Sequence, residues 1–153
     1  MMDGCPGSKM QDFRKKETKG DESGKRESQL SQWPIQLHLV SPMAPYYQKA
    51  DVLLSADCVA YTVGDFHKDY LKGKSIAIAC PKLDEGQDEY VEKIKSLIDD
   101  ANINTLTVMT MQVPCCAGLV AIARQALESA KRKIPIKSII VSLQGDILSE
   151  DWV

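Results

Sequence analysis

Short apolar runs rich in β-branched residues alternate with amphipathic stretches of helical period from Trp33 onward. The links between them are short, and such alternation predicts a mainly parallel sheet. A length of 153 residues, with 44% apolar and 26% charged side chains, suits one soluble domain. These features together predict an α/β fold, a doubly wound sandwich of about five strands with helices on both faces.

Residues 1–32 read as an N-terminal arm and residues 33–153 as the single α/β domain. Arg14 to Gln29 contains no apolar side chain. Such a stretch cannot offset its own ordering entropy, so it is expected to be flexible. The turn-rich segment Gly4-Cys5-Pro6-Gly7-Ser8 precedes it.

Within the domain, Ile35 to Val40 alternates and reads as the first strand. Pro45 to Ala50 reads as a short helix with proline in its first turn. Val52 to Ala56 is the second strand. Asp65 to Leu71 reads as one or two helical turns closed by Gly73. Ser75 to Ala79 is the third strand, nearly all apolar and therefore expected to be buried on both faces. Tyr90, Val91, Ile94, Leu97, Ile98 and Ala101 trace one helical stripe across Gln87–Ala101. Asp84, Glu85, Asp88 and Glu89 lie at the positive end of that helix, where carboxylates are favoured. Thr105 to Val113 is the fourth strand, with Met109 and Met111 expected in the core. Leu119 to Lys133 is a helix whose negative end carries Lys131, Arg132 and Lys133. Ile136 to Leu143 is the fifth strand, followed by Gly145. Trp33, Tyr46 and Tyr47 are expected to pack at the sheet edge.

Composition excludes several classes. A net charge of −2, from 19 basic and 21 acidic side chains, gives no broad basic field for nucleic acid. No apolar run approaches the roughly 18 residues of a transmembrane helix. The N-terminus shows no apolar signal core, so a cytoplasmic location is expected. No glycine-rich phosphate loop follows the first strand, where Ser41-Pro42-Met43-Ala44-Pro45 stands instead.

The cysteines carry the functional signal. There are five, an odd number, so in a reducing cytosol they are expected as free thiols, metal ligands or redox groups. Cys58 follows the second predicted strand, Cys80 the third, and Cys115 with Cys116 the fourth. In an open parallel sheet that edge is where ligand crevices form. Neighbouring strands lie about 4.8 Å apart, which brings their ends within metal-bridging range. Each cysteine singly is as well explained as a small apolar filler. The adjacent pair opens a helix, where unpaired amides and the dipole favour thiolate, so a lowered pKa is expected at Cys115 or Cys116.

Soft sulfur ligands point to zinc or an iron–sulfur cluster. The compact spacing of two residues between cysteines is absent, and the ligands come from distant segments. A cysteine nucleophile or disulfide relay at Cys115 and Cys116 would need a base. His67, in the connection after Cys58, is the candidate; His38, in mid-strand, reads as a hydrogen-bonded structural residue.

At this point the residues match a known pattern. Gln32-Trp33-Pro34-Ile35-Gln36-Leu37-His38-Leu39, Ala56-Asp57-Cys58, Asp65-Phe66-His67, Gly73-Lys74, Cys80-Pro81-Lys82-Leu83-Asp84 and Val113-Pro114-Cys115-Cys116-Ala117-Gly118-Leu119 resemble the ferredoxin-type iron–sulfur (4Fe–4S) cluster-binding protein family. Gly4-Cys5-Pro6-Gly7-Ser8 looks like that family's linker motif. The resemblance implies the cysteine-containing α/β domain of the family without its N-terminal ferredoxin module, so the module's own cluster ligands map onto no residue here. Cys80, the Cys115-Cys116 pair and Gly118 are also similar to part of the cysteine-rich domains of heterodisulfide-reductase-type proteins, whose later cysteine pair is missing. The expected cofactor is a 4Fe–4S cluster held by Cys58, Cys80, Cys115 and Cys116, with Cys5 as a fifth ligand or cap. Zinc is the alternative. The expected role is electron transfer or an accessory function with a redox partner protein rather than that of a stand-alone enzyme, with no membrane or nucleic acid involved and the oligomeric state open.

Overall fold

The computed structural model describes residues 8–14 and 24–153. Cys5 and residues 15–23 of the polar stretch lie outside the described residues.

Among the described residues there are seven strands: β1 (Gln11–Asp12), β2 (Gln32–Trp33), β3 (Asp51–Ala56), β4 (Ser75–Ala79), β5 (Thr105–Met111), β6 (Ile136–Val141) and β7 (Ile147–Trp152). The helices are α1 (Val59–Thr62), α2 (Gln87–Asp99) and α3 (Ala117–Ser129), with a π-helical turn at His67–Leu71 and single 3-10 turns at Pro45–Tyr47 and Pro114–Cys116. β1 and β2 form a small antiparallel ribbon that crosses the expected boundary between arm and domain. The other five strands form one sheet in the order β4-β3-β5-β6-β7, parallel except for β7.

The fold class is therefore the expected doubly wound α/β sandwich. β3 lies inside the sheet and pairs in parallel with both β4 and β5. The chain goes from β3 to β4 on one side, then returns across β3 to β5 on the other. Right-handed crossovers place the β3–β4 connection on one face and α2 and α3 together on the other, and α2 does pack against α3. Ile94, Leu97 and Ile98 of α2 and Leu119 and Ile122 of α3 are buried. Each such side chain contributes about 1.5–3 kcal/mol by leaving water.

The first predicted strand is corrected. Ile35 to Val40 makes a single parallel bridge, Gln36 to Ile78, and then turns. The amides of Leu39 and Val40 both donate to the Gln36 carbonyl, and the Gln36 side chain accepts the His38 amide at 2.6 Å. A side chain that satisfies the local backbone in this way competes with a ladder. The fifth strand of the sheet is β7 instead, reached through a turn in which Gly145 has a φ of 94°. A methyl group at Gly145 would stand 2.5 Å from the Thr62 carbonyl oxygen, so the turn presses on the end of α1. The expected helix at Pro45 to Ala50 shortens to its first turn, and α3 ends at Ser129 rather than Lys133.

The lysine at the end of α3 caps it as expected. Lys133 Nζ donates to the carbonyls of Leu127, Glu128 and Ala130. Arg132 serves the neighbouring helix and donates to the carbonyls of Ile98 and Ile103. Asp99 accepts the backbone amides of Lys131 and Arg132, and these bonds hold its carboxyl below the usual range.

The edge of β4 is covered by a side chain. Gln32 is fully buried. Its Oε1 accepts the Ile76 amide at 2.7 Å and its Nε2 donates to the Ile76 carbonyl at 2.9 Å, as a neighbouring strand would. The ends of the polar stretch are also tied down: Arg26 Nε donates to Asp65, and the Gln29 amide donates to His67 Nδ1.

Two outcomes follow for stability. Gln32→Leu leaves the Ile76 amide unpaired in the interior and should cost about 2 kcal/mol in denaturant unfolding. Because the folded pKa of Asp99 is depressed, its contribution is complete above the ordinary carboxylate value of ~3.9 and is lost as pH falls through the lower folded value. Asp99→Asn should flatten that part of the acid-unfolding curve, followed by circular dichroism.

Candidate functional site: a thiol-bearing rim

The carboxyl ends of β4, β3 and β5 lie side by side because those strands are neighbours in the sheet. The chain leaves β3 and β5 toward opposite faces, so the crevice between their ends is the topological switch point. Cys58 follows β3 and opens α1, where its carbonyl accepts Thr62 Oγ1 at 2.9 Å. Cys80 follows β4. Cys115 and Cys116 follow β5 inside the 3-10 turn that feeds α3. The four are free thiols; Cys58 and Cys115 are exposed, Cys80 is half-buried and Cys116 is buried.

Local hydrogen bonds hold each loop. The Asp57 amide donates to the Ala79 carbonyl at 3.1 Å, carrying the β3–β4 ladder up to the rim. The Leu83 amide donates to Cys80 Sγ at 3.4 Å and the Asp84 amide to the Cys80 carbonyl at 2.9 Å. Asp84 Oδ2 closes the loop by accepting the Cys80 amide at 2.9 Å. The same oxygen accepts Gln36 Nε2 at 3.1 Å and the Tyr90 hydroxyl. The Cys116 amide donates to the Val113 carbonyl at 3.1 Å. The loops of Cys80 and Cys115 touch: a methyl group at Gly118 would stand 3.3 Å from Pro81 Cβ.

The electrostatics run against a lowered pKa at Cys116. Burial pushes the Cys116 thiol up, a backbone hydrogen bond with Met111 pulls it down, and Cys115 and Cys58 push it further up. Its place at the opening of α3 therefore does not leave Cys116 with a lowered pKa, because loss of water outweighs the Met111 hydrogen bond. Cys116 thus lies within electrostatic reach of both Cys115 and Cys58. Beside them, the buried Oδ1 of Asp57 has no hydrogen-bond partner. Burial raises its carboxyl, and the charge of Asp84 raises it further.

His38 is structural, but in a turn rather than a strand: Nε2 lies 2.5 Å from the Glu85 carbonyl oxygen and the ring leans on Tyr90 at 4.2 Å between centroids. His67 lines a small pocket with residues 26–28, 60 and 63–68, and no cysteine is in its walls. Its Nδ1 accepts the Gln29 amide at 3.0 Å, so this nitrogen is not directed at a thiol. Cys5 lies outside the described residues. Among the described residues, no three cysteine, histidine or carboxylate side chains already stand in a geometry that would hold one metal ion. Asp57 and Asp84 are the rim residues that reading the sequence missed as such. The one signal was their place in the loops that carry Cys58 and Cys80.

Comparison with known proteins accounts for the architecture. A match over residues 44–153 identifies the family. The chain belongs to the Rossmann-like domain family. A protein of Archaeoglobus fulgidus described as uncharacterized is 29% identical over 119 residues, spanning 78% of this chain and 83% of the relative. No solved structure matches significantly. In this Rossmann-like domain the turn after β3 carries Asp57-Cys58-Val59-Ala60 and no glycine. Its rim is therefore furnished with sulfur where a phosphate loop would need bare backbone. No helix among the described residues is long and apolar enough to cross a membrane.

Burial sets the expected reactivity. Under iodoacetamide at neutral pH, Cys115 and Cys58 should be labelled before Cys116, with site occupancy read by peptide mass spectrometry. The Cys116 rate should keep rising into the alkaline range, since only the thiolate reacts.

Proposed function

We propose that this rim holds an iron–sulfur cluster and that the chain exchanges electrons with a partner protein. Cys58, Cys80, Cys115 and Cys116 are the ligands of this reading. The adjacency of the three thiol-bearing strand ends, β4-β3-β5, is the observation that carries it. Thiols gathered on neighbouring strand ends suit a shared cation, and soft sulfur selects iron or zinc over magnesium or calcium.

Width favours a cluster over one ion. A single zinc needs sulfurs about 2.3 Å from a common centre. The ends of β4 and β5 are two strand spacings apart, about 9.6 Å of backbone. A multi-iron cluster reaches across such a gap with less movement of the loops. Loading requires the exposed Cys58 and Cys115 to rotate inward. Cys5 is a further ligand or a cap in this reading, and the reduced thiols suit a cytoplasmic setting. The cluster supplies one-electron chemistry when bound. The protein supplies sulfur ligands, the Leu83 amide that donates to Cys80 Sγ, and the partial burial that limits water.

The same rim offers a partner a surface. Tyr61, Leu83 and Leu143 are 94%, 79% and 58% exposed. They stand on α1 and on the loops after β4 and β6. Asp57, Glu85 and Asp146 lie on the loops after β3, β4 and β6, so the matching partner has an apolar centre and a basic margin.

The test is anaerobic reconstitution with iron and sulfide. The loaded protein should be brown, with comparable amounts of iron and acid-labile sulfide, and Cys58→Ser or Cys115→Ser should lose about half or more of the iron. Colourless, iron-free protein would overturn the reading, and stoichiometric zinc without visible colour would replace it with a structural zinc site.

A further inference from the structure

The opposite end of the sheet holds a second cleft, which the thiol rim does not involve. It has a volume of about 600 Å³ and lies at the amino ends of β3 and β4. Arg14, Lys49, Lys72 and Lys74 bring four positive charges to its walls, and Asp51 brings the one carboxylate. That carboxylate already accepts Thr105 Oγ1 at 2.8 Å. Among the described residues, Lys49, Lys72 and Lys74 have no ion-pair partner. The guanidinium of Arg14 is fixed by Asp12 and by the Pro45 carbonyl at 3.2 Å.

The backbone holds these charges in place. Lys49 has a φ of 57°, which side-chain-bearing residues rarely adopt. Its amide donates to Ala101 at 2.9 Å and its carbonyl accepts Asn104 Nδ2 at 2.7 Å, which pins it. Gly73, with a φ of 78°, makes the turn that sets Lys72 and Lys74 on either side of it. Phe13, Leu30 and Tyr46 add apolar wall. Local conformations of this kind persist where the surroundings enforce them, and they cluster at binding sites.

We propose that this cleft binds a small phosphate-bearing organic molecule, with Lys49, Lys72 and Lys74 on the phosphates and the apolar wall against the rest. Cations gathered from two loops in one concavity match a compact polyanion. A nucleic acid would instead need an extended basic field, and the chain as a whole is acidic at −2. The site requires no metal or cluster, so it stands or falls apart from the thiol rim.

Isothermal titration of the full chain at low salt, with ATP and with inorganic pyrophosphate as probes, tests it. Both should saturate at one site per chain, ATP more tightly. Lys72→Glu with Lys74→Glu should weaken ATP by about tenfold or more with an unchanged circular dichroism spectrum, whereas Arg124→Glu, on exposed α3 away from the cleft, should change it less than about twofold. If the double variant fails to fold, Lys72→Gln alone, at an exposed position, should weaken ATP about two- to threefold. Absence of saturation with either probe at millimolar concentration overturns the proposal. Equal weakening by Arg124→Glu also overturns it, as does tighter binding of a single-stranded oligonucleotide than of ATP.

Discussion

Parallel pairing of one inner strand to two neighbours organises the molecule. β3 takes Ser75 opposite Val52 on one side and Leu106 opposite Val52 on the other. Both registers point the same way, so the loops that leave β4, β3 and β5 emerge at one edge. The loops that enter them emerge at the other. Apolar burial supplies the energy for this arrangement, since β3 is buried from Val52 to Ala56. The chemistry of each edge then depends on which residues the loops carry.

The two edges have opposite character. One gathers thiols, the Asp57–Asp84 pair and exposed apolar side chains. The other gathers lysines at left-handed turns. Between them, α2 and α3 are joined at their far ends by Asp99 and Arg132, each satisfying backbone groups of the other helix's terminus. Helix ends leave their last carbonyls without intrahelical partners, and side chains of this kind satisfy them.

Much of this was readable from residue order. Ser75–Ala79 emerges with the expected limits because a five-residue apolar run bounded by Lys74 and Cys80 leaves little choice. The start of α2 at Gln87 follows from its stripe. Other features depended on tertiary partners. Ile35–Val40 alternates like a strand, but Gln36 turns its own side chain on the local backbone. β7 has little apolar alternation because it is an exposed antiparallel edge. The position of each cysteine at a strand end was legible, whereas strand order, which makes those ends neighbours, was not. The upward shift at Cys116 was hidden for a similar reason. Helix ends show in sequence, but burial of one thiol of an adjacent pair shows only in the fold.

Gln32 has one more consequence. By occupying the outer hydrogen bonds of Ile76, it leaves β7 as the exposed border of the five-stranded sheet. An open border is a template on which a second chain can add a strand. On β7 the Glu150 carboxylate pairs with Lys137 at 3.8 Å, and Asp151 lies on the opposite face of the strand. Because the β4 border is covered, a strand added at β7 completes the sheet and offers no second border from which a polymer could grow.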